Sequence, residues 1–262
     1  MSNTAWLAEE TARRYQYFTQ KTTMYQDLSR VLIELADIQP GMTLLDLGCG
    51  TGISSQIALE ALSDQGLLYA LDNSKPMLDM ARSNLSGRPA TFIHADAAQF
   101  SQCLERPVDR IICNSVFWQL RHKPAVMAQL RQALKPDGLF VFNVPEPYFI
   151  FKSIPRSQKV GVLFKQLAAE RYGVGPQDRR TIEVFLNNHH FELVRSEPFQ
   201  RTRSAEESYL FLQLPVSTAW MDPPLDYETR LALLEEAQQH SHPQARSTRR
   251  WMYFVTRPKS DS

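Results

Sequence analysis

The sequence predicts an α/β protein built on a mostly parallel sheet with helices on both faces. Short apolar segments recur between residues 43 and 144, and helical patterns of about 10–15 residues separate most of them. The apolar segments are nearly continuous rather than alternating, which is typical of strands that helices cover on both sides. The chain has 262 residues, of which 43% are hydrophobic, and this length allows one large domain or two small ones.

The elements of this core follow from the apolar segments and the turns between them. The third helical pattern is predicted to end at the turn Lys135-Pro136-Asp137-Gly138. The predicted strands are Thr43–Leu47, Leu67–Asp72, Thr91–His94, Val108–Cys113 and Leu139–Val144, and the predicted helices are Thr51–Leu62, Lys75–Leu85 and Pro124–Leu134.

The segments that flank the core have different patterns. Residues 4–36 predict one or two helices rich in aromatic side chains. Residues 145–177 contain four prolines, which argues against a regular βα unit there. Two late strands are expected to pair antiparallel at the sheet edge, with the intervening segments capping its top. The predicted late elements are a helix over Asp178–His189, a strand over Phe191–Phe199, a helix over Tyr227–Gln239 and a strand over Trp251–Thr256.

Composition excludes several functional classes. The 29 Lys and Arg residues balance 28 Asp and Glu residues, so no nucleic-acid partner is expected. No apolar segment approaches the roughly 18–20 residues that cross a bilayer, and the N-terminal segment does not resemble a secretory signal. We therefore expect a cytoplasmic protein. Cys49, Cys103 and Cys113 include no C-x-x-C pair, so we expect small buried or half-buried thiols and no metal site.

The first predicted strand leads into a glycine-rich turn, Gly48-Cys49-Gly50-Thr51-Gly52. Glycines at alternate positions let the backbone turn tightly and approach a ligand closely. The dinucleotide fingerprint requires glycine where Ile53 stands, and no Gly-Lys-Ser/Thr follows, so an NAD site and a P-loop are both excluded. Asp46 precedes the turn; its carboxylate would repel a pyrophosphate and suits a ligand with an ammonium group.

The segment Leu44–Gly52 resembles motif I of the class I S-adenosylmethionine-dependent methyltransferases. The resemblance extends over about residues 12–144, and Ala12-Arg13-Arg14-Tyr15 and Pro40-Gly41 resemble small-molecule members such as the ubiquinone and menaquinone methyltransferases. It implies a doubly wound, Rossmann-like sheet of seven strands with an antiparallel last strand and a helical cap. We expect a single domain over 1–262, with an N-terminal lid (1–36), a cofactor-binding core (37–144) and substrate-cap insertions (145–177 and 204–240).

The resemblance also implies where S-adenosylmethionine binds. Asp72, at the end of the second strand, would accept hydrogen bonds from both ribose hydroxyls, and capping of the next helix is the alternative role. Asp96 and Ala97 would contact the adenine edge, unless Asp96 is a plain loop residue. Met77 could pack on adenine or fill the core. The predicted cofactor-binding residues are Tyr15, Asp46, Gly48, Cys49, Gly50, Gly52, Asp72, Asn73, Met77, Asp96, Ala97, Asn114, Ser115 and Trp118.

The segment after the fourth strand lacks the N/D-P-P-Y signature of amino-methylating enzymes and the Pro-Cys pair of cytosine-C5 enzymes. Phe117 and Trp118 are predicted to wall the cofactor site, with ordinary core packing as the alternative. The substrate-binding candidates are Phe117, Gln119, Tyr148, Phe149, Tyr209 and Trp220. A base is needed only if the acceptor loses a proton, and the candidates are His122, Glu146, Tyr17 and Tyr25. Their alternative roles are a helix start, a solvated loop and lid packing.

These observations predict a methyltransferase that acts by in-line displacement on a small apolar or aromatic metabolite, with secondary metabolism or a prenylated ring as the expected context. The aromatic cap residues favour such an acceptor, although aromatic residues in a cap more often form its own core than contact a substrate. Two alternatives stay open: a methyltransferase acting on RNA or protein, and a protein that binds S-adenosylmethionine without methylating. The oligomeric state and the accepting atom are not predicted.

Overall fold

The computed structural model describes residues 3–152, 159–175, 177–218 and 225–260. Within these ranges seven strands form one sheet, as the resemblance implied. The strands are β1 (Thr43–Leu47), β2 (Leu67–Asp72), β3 (Ala90–His94), β4 (Val108–Cys113), β5 (Leu134–Pro145), β6 (Phe191–Ser204) and β7 (Arg246–Pro258).

The order of the strands across the sheet is β3-β2-β1-β4-β5-β7-β6. The five strands from β3 to β5 are parallel, whereas β7 runs antiparallel to both β5 and β6. The predicted parallel sheet with a late antiparallel pair is therefore confirmed. Strand order reverses between β1 and β4, and open sheets of this kind bind ligands at such a reversal, beyond the carboxyl ends of the strands.

Helices cover both faces of the sheet. Short 3₁₀ helices also form at Asn3–Leu7, Ser101–Cys103 and Phe117–Gln119. The α-helices are α1 (Glu9–Lys21), α2 (Met24–Leu35), α3 (Ile53–Leu62), α4 (Lys75–Asn84), α5 (Lys123–Ala133), α6 (Val160–Tyr172), α7 (Arg179–Asn188), α8 (Ala205–Leu212) and α9 (Tyr227–His240).

Each face of the sheet buries its own hydrophobic cluster, which explains the continuous apolar strands. Successive side chains of a strand point to opposite faces. Leu45 accordingly packs in the cluster formed with α5 and α7, and Leu44 packs in the cluster formed with α2 and α3. Every residue of β1 is buried. Burial of each leucine contributes about 1.5–3 kcal/mol, so both faces stabilise the central strand.

The structure corrects the predicted turn at residues 135–138. β5 begins at Leu134, which pairs with Val108, and the register then jumps so that Arg110 pairs with Leu139. The four intervening residues are an irregularity inside the strand rather than a turn before it. A salt bridge helps to hold the first residues of β5 beside β4, because Lys135 Nζ lies 2.6 Å from Asp109 Oδ1.

Two helices and two strand ends lie outside the predicted elements. In α6 only Ala169 is buried, and α8 has no buried residue, so neither helix has the apolar periodicity that would reveal it. β6 and β7 are longer than predicted because their ends pair with each other as a polar ribbon, from Gln200 opposite Arg250 to Ser204 opposite Arg246.

The three cysteines are free thiols, and Cys49 and Cys113 are buried as expected. Cys103 is exposed, so its prediction was wrong: it lies in the surface 3₁₀ turn Ser101–Cys103 rather than under a helix. Across the described ranges, no helix is both long and apolar enough to cross a membrane.

Candidate active site

A cavity of about 270 Å³ opens at the carboxyl ends of β1, β2 and β3. Five of the predicted cofactor-binding residues line it: Gly48, Asp72, Asn73, Asp96 and Ala97. The rest of the lining, which the sequence interpretation did not include, is Leu7, Leu47, Leu71, Ala95, Val116, Leu120 and Arg121. Three of these residues directly precede a predicted site residue in the sequence: Leu47, Leu71 and Ala95. Their positions next to the strand ends could therefore have predicted them.

The glycine-rich turn needs its glycines for two separate reasons. Gly48, Gly50 and Gly52 have φ angles of +78°, +55° and +89°, which side-chain-bearing residues rarely adopt. At Gly48 a Cβ atom would also lie 2.8 Å from both methyl groups of Val116. The N–H groups of Gly48 and Cys49 donate to the Leu71 carbonyl at 2.8 and 2.9 Å. The turn is therefore packed tightly against β2 and the segment after β4.

Asp72 connects this turn to the end of β2. Its Oδ2 accepts a hydrogen bond from the Gly50 N–H at 2.8 Å, and its Oδ1 accepts one from the Ser74 N–H at 2.9 Å. Ser74, not Asp72, occupies the N-cap position of α4. Burial raises the pKa of Asp72, and the backbone hydrogen bonds oppose that shift. The carboxylate thus holds the turn in place beside the cavity.

Asp46 is fully buried at the end of β1. Its Oδ2 accepts a hydrogen bond from Ser55 Oγ at 2.7 Å, whereas its Oδ1 is buried without a hydrogen-bond partner in the described part of the chain. Burial, with a smaller contribution from the nearby Asp72 charge, raises the pKa of Asp46 to about 6, although its hydrogen bonds oppose the shift. An unpartnered buried carboxylate oxygen is costly unless a ligand donates to it or a cation lies close.

The turn therefore lies in a region of negative potential. No Lys or Arg side chain pairs with Asp46 or Asp72 among the residues that the structure describes. Burial raises the pKa values of Tyr15 and Cys49, and the charges of Asp72 and Asp46 add to both shifts. Such a field favours a cationic ligand. The sulfonium and ammonium groups of S-adenosylmethionine fit this requirement, and an anionic pyrophosphate does not.

The segment after β4 is held by a polar network under the site. Asn114 Nδ2 donates to Ser29 Oγ at 2.9 Å, and Asn143 Nδ2 donates to Asn114 Oδ1 at 2.9 Å. Asn143 Oδ1 accepts from the Ser115 N–H at 2.7 Å, and Ser115 has a φ of +59°. Asn143 and Ser29 were not predicted, although a lone asparagine within the apolar run of β5 was a signal. Asn114 and Ser115 thus connect α2, β4 and β5.

The predicted aromatic residues separate into a stacked pair and two core residues. Trp118 and Tyr148 stack with ring centroids 3.8 Å apart. Phe117 packs on Phe142 with centroids 4.2 Å apart, and Phe149 packs on Phe254 at 5.6 Å. Both phenylalanines are 1% exposed, which favours the core alternative for Phe117 over contact with a substrate.

The other predicted residues occupy varied environments. Gln119 Nε2 donates to the Ser115 carbonyl at 3.0 Å, and Met77 is buried in α4. Tyr209 is half-buried in α8. Trp220 lies outside the described residues.

The N-terminal helices close over the glycine turn. The Tyr15 ring lies over Gly50, because a Cβ built on that glycine would be 3.9 Å from Tyr15 Cε1. Tyr15 in turn packs on Tyr25 with ring centroids 5.0 Å apart. Ser74 Oγ donates to the Trp6 carbonyl at 2.9 Å, which ties the 3₁₀ helix Asn3–Leu7 to the start of α4.

Known proteins resemble the central part of this chain. Residues 44–138 match the family model described as a methyltransferase domain. A malonyl-[acyl-carrier protein] O-methyltransferase from Halalkalibacterium halodurans is 38% identical over 109 residues, which are 40% of this chain and 39% of that protein. A trans-aconitate 2-methyltransferase from Acidovorax sp. is 38% identical over 104 residues, covering 39% of this chain and 38% of that protein.

A solved structure shares the fold over most of both chains. The S-adenosylmethionine-dependent methyltransferase from Thiobacillus denitrificans, in complex with S-adenosylhomocysteine, superposes with a TM-score of 0.53 at 17% identity. The match covers 89% of this chain and 91% of that one. The chain therefore contains a methyltransferase domain at residues 44–138, within a fold that it shares with an S-adenosylmethionine-dependent methyltransferase. The aligned segments span about two fifths of the length of the two curated relatives.

The four base candidates differ in accessibility and pairing. Glu146 forms two hydrogen bonds with Arg250, at 3.0 and 2.5 Å, and this pairing lowers the pKa of Glu146. An ion-paired carboxylate with a lowered pKa is a poor proton acceptor. His122 is exposed at the N-cap of α5, and Tyr17 is 47% exposed on α1.

Tyr25 is the candidate that packs among the site residues, through Tyr15. Burial raises the pKa of Tyr25 to about 12. The phenol therefore keeps its proton at neutral pH, and its hydroxyl is suited to donating a hydrogen bond rather than to removing a proton. Neither Glu146 nor Tyr25 is therefore suited to removing a proton from a bound acceptor.

Proposed function

We propose that this protein transfers the methyl group of S-adenosylmethionine to a small-molecule acceptor. The observation that carries the proposal is one cavity at the strand ends that Gly48 of the glycine turn and Asp72 line, with the buried Asp46 two residues before Gly48. It combines a backbone that a ligand can approach with a negative field that favours a cation.

The cavity residues would hold the cofactor by three groups of its atoms. Asp72 has carboxylate lone pairs beyond those used by Gly50 and Ser74, and these suit ribose hydroxyls. Asp96 is exposed at the cavity, where it would accept from the adenine amine. Asp46 would attract the ammonium group of the amino-acid end. When bound, S-adenosylmethionine supplies a methyl group activated by its sulfonium.

The chain itself would contribute orientation and exclusion of water. The Ser29–Asn114–Asn143 network fixes the segment after β4. Leu7 and the Tyr15–Tyr25 pair cover the site from the N-terminal side. Holding the accepting atom in line with the methyl group lowers the barrier through proximity, and covering the site removes competing water.

A small acceptor with an apolar or aromatic body fits the described surroundings best. The stacked Trp118–Tyr148 pair and the half-buried Tyr209 provide aromatic surface above the sheet edge. Two relatives are named for methylation of malonyl-[acyl-carrier protein] and of trans-aconitate, and both names support a metabolite-derived acceptor. A cytoplasmic location agrees with a metabolite as substrate.

Calorimetry and an acceptor-dependent assay test the proposal. We expect S-adenosylmethionine and S-adenosylhomocysteine each to bind at one site per chain. Formation of S-adenosylhomocysteine should depend on an added small acceptor, and mass spectrometry should show the acceptor heavier by one methyl group. Failure of both ligands to bind would refute the proposal. Turnover only with RNA, and a steep fall of binding with salt, would refute the small-molecule acceptor.

A further inference from the structure

A buried arginine near the end of β6 forms no ion pair within the part of the chain that the structure describes. Arg203, near the end of β6, is only 4% exposed, and its Nε is buried without a hydrogen-bond partner in the described part of the chain. Its guanidinium lies over the Phe211 ring, 4.8 Å from the centroid. Burial lowers the pKa of Arg203, and the charge of Glu207, which pairs with Arg201, opposes this shift only in part.

Two other arginines lie near Arg203. β6 and β7 pair Arg201 with Arg249 and Arg203 with Ser247, so Arg201, Arg203 and Arg249 share one face of the ribbon. The charge of Arg249 lowers the pKa of Arg203 further.

The nearby carboxylates are already used by one of these arginines. Arg201 binds Asp27 at 2.8 Å and also pairs with Glu207. Arg249 is exposed and forms no ion pair within the described ranges. The shared face thus presents three guanidinium groups and only two carboxylates, and both carboxylates bind Arg201.

This face adjoins the proposed methyl-transfer site. Tyr25 and Arg203 are close enough to shift each other's pKa by their charges, downward for Tyr25. Tyr25 packs on Tyr15, which covers Gly50 of the glycine turn. β5 ends at Pro145, opposite Trp251, whereas the ribbon continues beyond that level. Phe199 of β6 pairs with Trp251 and therefore lies level with the end of β5. Arg203 is four residues further along β6, about 13 Å beyond that level at the usual rise per residue.

We propose that the methyl acceptor carries an anionic group, a carboxylate or a phosphate, that Arg203 binds together with Arg249. This inference rests on the proposed function, and it concerns recognition of the acceptor rather than the atom that is methylated. A guanidinium binds carboxylate and phosphate through two parallel hydrogen bonds, and it gains most where water is excluded. The acceptor would therefore have an apolar or aromatic body and one anionic end.

The competing role for Arg203 is structural, through its stacking on Phe211. The two roles predict opposite stability changes. If an anion is the missing partner, the ligand-free protein gains by replacing the buried cation with a neutral side chain of similar length. We therefore expect Arg203→Met to leave the melting temperature unchanged or to raise it. A fall of more than about 5 °C would assign Arg203 to structure and overturn the proposal.

Binding measurements test recognition directly. Protein saturated with S-adenosylhomocysteine is titrated with benzoate, cinnamate, octanoate and phenyl phosphate, and with the neutral benzamide, cinnamamide and octanamide. Each amide is the neutral counterpart of one carboxylate, and phenol is titrated as the neutral counterpart of phenyl phosphate. We expect at least one anion to bind at least tenfold more tightly than its neutral counterpart. Arg203→Gln should abolish that preference. The carboxylates and phenyl phosphate distinguish the two anionic sources.

The control is Arg257→Gln, because Arg257 lies at the opposite end of β7, where it pairs with Glu192 and is exposed. It removes the same charge from the same pair of strands and should keep the anion preference. Normal binding of S-adenosylhomocysteine without any anion preference would overturn this inference and leave the proposed function intact. Failure of S-adenosylhomocysteine to bind would overturn both.

Discussion

The two ends of the carboxyl edge of the sheet have opposite electrostatic character. Beside β1 and β2, Asp46 and Asp72 are buried with no paired cation in the described chain. On the β6–β7 ribbon, three arginines share a face with two carboxylates, and Arg203 is left unpaired. The opposite charges of these two regions cancel in the net charge of +1, which therefore gives no sign of either region. A balanced composition therefore does not indicate a neutral site, and the difference suits a cationic donor at one end and an anionic acceptor at the other.

Asp72→Ala should have the largest effect on the acidic end. The substitution leaves the Gly50 and Ser74 N–H groups without their acceptor and removes the proposed ribose contact. Loss of a charged hydrogen-bond partner costs about 1.5–3 kcal/mol, which corresponds to a roughly 10–100-fold weaker affinity for S-adenosylhomocysteine by calorimetry. Asp79→Ala is the control, because Asp79 lies on α4 at the surface, paired with Lys75 and Arg82. Equal affinities of the two variants would contradict the role of Asp72.

Arg201→Gln should have the next largest effect, on the basic end. Arg201 joins Asp27 of α2 to Glu207 of α8, and its side chain is 15% exposed. The substitution leaves two carboxylates without their cation, so we expect the free energy of unfolding in urea to fall by about 2 kcal/mol. Arg257→Gln breaks an exposed ion pair at the other end of β6 and β7 and should change the free energy of unfolding much less. Similar losses in both variants would show that the Arg201 pairs do not stabilise the cap.

The pH dependence of cofactor binding should give a smaller effect. Since the pKa of Asp46 is about 6, its carboxyl group is mostly neutral at pH 5 and mostly charged at pH 7. The affinity for the ammonium-bearing S-adenosylhomocysteine should rise about tenfold over this interval, as calorimetry at several pH values would measure. In Asp46→Asn this rise should disappear. Because Asp72 has a raised pKa as well, an unchanged rise in the variant would assign the titration to Asp72.

The same group gives a stability change of opposite sign. The pKa of Asp46 is higher in the folded protein than its ordinary value of 3.8, so the folded state binds the extra proton more tightly. Its contribution to stability is therefore greatest below about pH 4 and is lost as pH rises through about 6. Asp46→Asn should remove this loss and raise the melting temperature at pH 7 relative to the natural chain.

The acidic end was predictable from the sequence because its chemistry depends on local order along the chain. β1, β2 and β4 begin and end where their apolar runs do, and Asp72 and Asp96 follow such runs directly. Parallel strands bring these carboxyl ends to one edge, so position in the sequence determines proximity in space. Gly48, Asp72, Asn73, Asp96 and Ala97 accordingly line one cavity.

The basic end was not predictable in the same way, because it depends on pairing between distant segments. Arg203 and Arg249 face the same side only through the antiparallel register of β6 and β7. A polar ribbon has no apolar alternation to mark its length, and α8 has no buried residue to give it a helical period. The burial of Arg203 against Phe211 likewise depends on tertiary packing, which the number of charged residues in the sequence does not predict.

The bond between Ser74 and the Trp6 carbonyl has a consequence for turnover. Leu7 borders the cavity, and this bond anchors the 3₁₀ helix Asn3–Leu7 across its opening. If S-adenosylmethionine binds in this cavity as proposed, we expect departure of its product to require that this anchor detach, so that the detachment rate limits the rate of turnover. Ser74→Ala should exchange its nucleoside product faster than the natural chain, even where the chemical step is unaltered.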